Sequence, residues 1–152
     1  MRRFLERGGI WVAGQFLLFA CVVLLALRYP GAGPVVWRCA GALLVVVAAA
    51  VAGAGALALG RNLTPFPEPS AHARLVQHGI YAKIRHPLYT SVIAAGFGWA
   101  WVWLSWPSAL FAAALVPFFL AKSRREEQML RRKFPEYREY ETRTRRFIPW
   151  IY

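Results

Sequence analysis

The chain has 152 residues, 58% hydrophobic and only 17% charged, a balance that excludes an ordinary soluble domain. Lys and Arg outnumber the acids 19 to 7, every acid is Glu, and the formal charge is +12. No RNA- or DNA-binding pattern interleaves with that charge, so it implies no nucleic acid; a membrane protein fits both numbers.

Met1 to Arg7 (MRRFLER) leads into the first apolar run, Gly8 to Leu27, which is 20 residues long. The start resembles a signal peptide, but a bilayer core takes about 20 residues to cross. No cleavage site closes the run, so it is read as a transmembrane anchor. The second run, Cys39 to Gly60, has 22 residues and defines a span over about 38–60. Its small residues, Gly41, Gly53 and Gly55, would let a neighbouring helix approach closely. Cys21 and Cys39 fall inside these runs with no His or further Cys beside them. They read as inert thiols, and no metal is expected.

Residues 61–86 form a central loop. Pro65, Pro67 and Pro69 alternate with other residues, which forbids helix and favours a stiff, extended path. His72 and His78 read as solvated loop residues. Gly79 suggests a turn before Ile80 and Tyr81. His86 precedes Pro87 and is biased away from helical backbone, while Pro87 suits a first helical turn. The helix end at Pro87, with Arg85 beside it, could hold a carboxylate on its free N–H groups.

The third run, Pro87 to Ala121, has 35 uncharged residues. As one helix it would reach about 52 Å, far beyond a core about 30 Å thick. Leu104 to Leu110 (LSWPSAL) supplies a break, giving a hairpin of spans over about 87–104 and 107–122. Trp99, Trp101, Trp103 and Trp106 cluster near its tip, as an aromatic belt would. In the last segment, 123–152, helical spacing runs from Leu120 to Arg132 and Pro135 interrupts it. Ser123 and Glu126 match a capping box, so a new helix starts there or the fourth span continues. Glu126 and Glu127 lie near the membrane among Arg residues, where they either pair locally or receive a cationic ligand. Tyr137 and Tyr140 are expected to pack this segment onto the membrane surface, and Trp150 and Tyr152 to anchor at the interface.

The fold class is therefore all-α integral membrane: one domain over 1–152, four transmembrane helices with a helical hairpin, and a cytoplasmic C-terminal helical segment. With four spans, 17 Lys and Arg fall on the side of both termini and the central loop, and Arg28 and Arg38 on the other. The positive-inside rule then places both termini in the cytoplasm.

Leu75 to Ser91 (LVQHGIYAKIRHPLYTS), followed after the hairpin by Arg124 to Tyr140 (RREEQMLRRKFPEYREY), resembles the isoprenylcysteine carboxyl methyltransferase family, and more loosely the phospholipid N-methyltransferases. The shared pattern is Gly-x-Tyr, Arg-His-Pro-x-Tyr, Glu-Glu after a hairpin, then Phe-x-x-Tyr. It covers roughly residues 57–152, including Leu59 to Pro69; the first two spans resemble nothing specific.

The resemblance implies an integral-membrane methyltransferase in the bacterial inner membrane, with S-adenosyl-L-methionine enclosed by the central loop, the hairpin and the C-terminal segment. It implies cofactor contacts from Leu75, Val76, Tyr81, His86, Pro87, Leu88, Tyr89, Glu126 and Glu127. Arg85, His86 and Glu127 would be the catalytic residues, and Arg124 and Arg125 would orient an anionic substrate. The partners are the lipid bilayer and a lipophilic methyl acceptor such as an isoprenylcysteine carboxylate. A phospholipid, amine or small thiol is the alternative acceptor, and a non-catalytic membrane scaffold the alternative of another class. A nicotinamide-dependent reductase is disfavoured, because such enzymes use more spans.

Overall fold

The computed structural model describes residues 8–68 and 73–148. Met1, Arg7, Pro69, His72, Trp150 and Tyr152, named above, lie outside them. The described residues are helical, with no strand: α1 (Gly9–Arg28), α2 (Val35–Leu59), α3 (Pro87–Val102), α4 (Trp106–Lys133) and α5 (Tyr137–Arg143), plus single 3-10 turns at Gly60–Asn62 and Gly79–Ala82.

Among the described residues, three stretches are long and apolar enough to cross a membrane, namely α1, Val35–Asn62 and α4. The protein is an integral membrane protein. Its exposed side chains along these helices, such as Phe16, Leu17, Leu24, Leu43, Val46 and Leu57, are apolar surface suited to lipid. The fourth expected span, α3, has 16 residues. That is about 24 Å, short of a core about 30 Å thick by its own length.

The helix ends depart from expectation for local reasons. The second span starts at Val35, after Pro34. Arg38 is carried inside it because its guanidinium donates to the carbonyls of Gly31 (2.9 Å) and Val102 (3.2 Å). The break between α3 and α4 falls at 103–105, with a Pro in the first turn of α4. Helix α4 then runs unbroken through the possible capping box: the Ser123 hydroxyl donates to the Leu120 carbonyl of its own helix (3.0 Å).

Helices α2 and α3 cross at two glycines. A Cβ on Gly98 would sit 2.9 Å from the Gly41 carbonyl and 3.0 Å from the Val45 nitrogen, both backbone atoms. Gly55 meets Pro87 and Leu88 closely, whereas Gly53 faces open space. Helices α1 and α4 pack around Val22, Ala112, Leu115 and Phe119, and Ser108 donates to the Val22 carbonyl (2.7 Å).

Lys122, one of the 17 Lys and Arg counted above, is fully buried. Its ammonium donates to the Gln15 side chain and to the Pro65 carbonyl (3.0 Å), tying the central loop to α1 and α4. Charge needs such partners once it leaves water. Gly79 makes the expected turn, with φ +62°, and His78 is exposed.

Candidate functional site: a cleft at the charged end of the bundle

The Arg-His-Pro corner is held from two directions. Pro87 opens α3 and leaves His86 as its N-cap, with φ −126° and ψ 56°, outside the helical region. The chain after α5 then returns beside it. The Arg85 and His86 amides donate to the Arg145 and Arg146 carbonyls (2.8 and 3.0 Å), and the Arg145 amide donates to the Lys83 carbonyl (3.1 Å). This short parallel pairing bridges Ile84 and Arg145.

Under that corner lies Glu127, completely buried. Its carboxylate accepts from Arg85 (3.0 Å) and bidentately from Arg146 (2.6 and 3.1 Å), and the His86 Nε2 is 3.2 Å away. Arg131 stands at 3.8 Å. A buried carboxylate is tolerable only when paired and hydrogen-bonded in this way. Arg85 also donates to the Thr144 (2.7 Å) and Glu141 (3.2 Å) carbonyls. Glu127 is thus the knot that fastens the C-terminal segment to the His86 corner.

Glu126 faces elsewhere. It accepts a hydrogen bond from the Tyr89 hydroxyl (2.5 Å), with His86 Nδ1 3.7 Å away and its side chain a quarter exposed. It lines a cleft formed by the end of α2, the central loop, the start of α3, the second half of α4 and α5. His86 stacks flat on Tyr89, with centroids 5.2 Å apart and planes 2° from parallel, and Lys122 sits 5.1 Å from the centroid of the same Tyr89 ring.

Three more tyrosines complete the cleft: Tyr81, Tyr137 and Tyr140. Burial pushes each hydroxyl above its ordinary pKa, so all three stay protonated and neutral. Tyr140 donates to the Tyr81 carbonyl (2.7 Å). The apolar part of the wall comes from Leu59, Val76, Leu88, Leu130 and Phe134.

Of the residues singled out from the sequence, Leu75, Val76, Tyr81, Arg85, His86, Leu88, Tyr89 and Glu126 all line the cleft. Pro87 is buried and faces Gly55 of α2. Glu127 lies behind the wall, and Arg124 and Arg125 are exposed on α4, away from the lining. Sequence reasoning missed Asn62, Phe66, Arg74 and Leu130. Leu130 was findable, one helical turn beyond Glu126 on the same face. Tyr137 and Tyr140 require a correction: expected on the membrane surface, they are 1% and 4% exposed and belong to the cleft. The Phe-x-x-Tyr element was the signal, but its inward turn depends on α5 folding back under the His86 corner.

The sequence profile of phospholipid methyltransferases matches residues 36–137, two thirds of the chain. The chain belongs to the phospholipid methyltransferase family. Among curated proteins, none matches this family member by sequence. A solved structure of the eukaryotic intramembrane Ras methyltransferase, isoprenylcysteine carboxyl methyltransferase, is similar to it with a TM-score of 0.69 and 25% identity, over 76% of this chain and 43% of that one. This family member therefore spans less than half the length of that enzyme. The matched profile takes in the whole Arg-His-Pro corner, both glutamates and Tyr137.

Proposed function

We propose that the chain is a membrane methyltransferase that binds S-adenosylmethionine in the cleft and methylates a lipophilic acceptor such as an isoprenylcysteine carboxylate. The observation that carries this reading is the Glu126 carboxylate, held by Tyr89 at the wall of an otherwise aromatic and apolar cleft. Such a wall suits a ligand with a cationic amino-acid end and a flat purine. Glu126 meets the ammonium, and Tyr81 and Tyr140 offer ring faces and polar tips to the nucleoside. When bound, S-adenosylmethionine supplies an electrophilic methyl group on a sulfonium sulfur.

The chain's own work is to position and to exclude water. His86, stacked on Tyr89 and bridged to both glutamates, keeps the wall of the cleft rigid. Arg85 and Glu127 hold that corner from behind. An acceptor carboxylate is already ionised, so no residue need take a proton from it, and alignment in a dry cleft carries most of the rate. Arg124 and Arg125, exposed on α4, are available to draw an anionic acceptor or anionic lipid to the same end. The family profile favours a second acceptor class, the amine of a phospholipid head group.

Calorimetric titration of the detergent-solubilised protein with S-adenosylhomocysteine tests the reading. Saturable binding is expected. Glu126→Gln should weaken it at least tenfold, since a charge-assisted contact contributes about 1.5 to 3 kcal/mol, while the unfolding temperature stays the same. Absence of binding by folded wild-type protein would sink the proposal.

A further inference from the structure

Tyr137 is 1% exposed and lines the cleft, yet its hydroxyl has no hydrogen-bond partner among the described residues. Buried polar groups in native proteins are almost always paired, and an orphan needs a reason. Its neighbour on α5 shows the contrast, because the Tyr140 hydroxyl is satisfied by the Tyr81 carbonyl. The two rings touch edge to face, with centroids 5.6 Å apart, so the fold fixes where the Tyr137 ring points. Both tyrosines share the cleft lining with Arg85, His86 and Glu126. The Tyr137 hydroxyl is thus an unpaired polar group in a cleft whose lining also carries the Glu126 carboxylate.

We infer that the Tyr137 hydroxyl is a ligand-binding group, left unpaired by the fold so that it can hydrogen-bond the amino-acid end of the bound cosubstrate. This rests on the proposed reading of the cleft and adds to Glu126 a second polar contact of a different kind. Glu126 can only accept a hydrogen bond when ionised, whereas a protonated phenol can also donate to the ligand's carboxylate.

The test compares Tyr137→Phe and Tyr140→Phe with wild type, using S-adenosylhomocysteine and 5′-methylthioadenosine. The second probe keeps the nucleoside and sulfur but lacks the amino-acid end. Tyr137→Phe should bind S-adenosylhomocysteine about tenfold more weakly and 5′-methylthioadenosine within about twofold of wild type. Without ligand, its unfolding temperature should be no lower than wild type, because the lost hydroxyl had no partner to lose. Tyr140→Phe, which breaks a made bond, should unfold at a lower temperature.

Unchanged affinity of Tyr137→Phe for S-adenosylhomocysteine would overturn the inference. So would an equal loss for both probes, or a ligand-free destabilisation like that of Tyr140→Phe. The two readings fail separately. If wild type binds neither probe, the methyltransferase reading falls and takes this inference with it. If Glu126→Gln weakens binding and Tyr137→Phe does not, only the inference falls.

Discussion

Glu126 and Glu127 are chemically identical neighbours, but successive residues of an α-helix point about 100° apart. That rotation puts one carboxylate at the cleft with a tyrosine hydroxyl and the other in the protein with two arginines and a histidine. Their substitutions should therefore fail in different ways. Removing the charge of Glu127 takes the carboxylate partner away from Arg85 and Arg146, whose side chains are only 10% and 17% exposed. Breaking a buried pair from one side costs about 3 to 5 kcal/mol. Glu127→Gln should lower the unfolding temperature by on the order of 10 °C, read by thermal denaturation in detergent. A variant as stable as wild type would mean that the knot does not hold the corner. Lys122 makes the same point from the opposite sign of charge: its bonds to Gln15 and Pro65 use a buried cation for architecture, beside the cleft.

Among the elements, α2 and α3 depend on glycine contact and α1 and α4 on interlocking side chains. In lipid the apolar faces gain little by merely leaving their surroundings, so close backbone approach supplies the attraction. At the Gly41–Gly98 crossing any side chain would meet backbone, which cannot swing aside. Gly98→Leu should force the helices apart and cost about 1 to 3 kcal/mol or more by overpacking. Gly53→Ala, with nothing within 4 Å of the added carbon, should be neutral. Thermal unfolding of the two variants side by side checks this, and equal stability would refute the crossing. Helix α4 is the longest element at 28 residues, and its length is functional in the proposed reading, since its last turns carry Glu126, Glu127 and Leu130 out to the cleft.

For the whole molecule, the cleft itself bears on topology. Arg85 at the end of the central loop and Arg146 beyond α5 meet the same carboxylate, so the central loop and the segment after α4 share one end of the bundle. That supports the proposal that α3 and α4 both cross, as an antiparallel pair, despite the 16 residues of α3. In that proposal, local thinning of the bilayer and interfacial tryptophans at the tip would accommodate the shortfall. With Cys21 and Cys39 replaced by Ala, single cysteines at His78 and Arg138 should react with an impermeant thiol reagent from the cytoplasmic side. One at Tyr29 should react only from the opposite side. Labelling of positions 78 and 138 from opposite sides would rule out four crossings.

The run lengths sufficed to determine a helical membrane protein with a helix break near Pro107, because burial in lipid is written into consecutive residues. The His86 and Glu126 wall of the cleft was legible as well, since Arg-His-Pro-x-Tyr and Glu-Glu are short motifs with local geometry. Their neighbours were not. Whether Tyr137 turns inward, whether Lys122 is buried, and which glutamate meets the cleft depend on helix phase and on contacts between residues far apart in the chain. Tyr140 and its partner Tyr81 are 59 positions apart, and Arg85 reaches Glu127 across 42. Only the folded chain brings such groups together, because a hydrogen bond between distant segments has no period in the sequence and exists only once packing has fixed both ends.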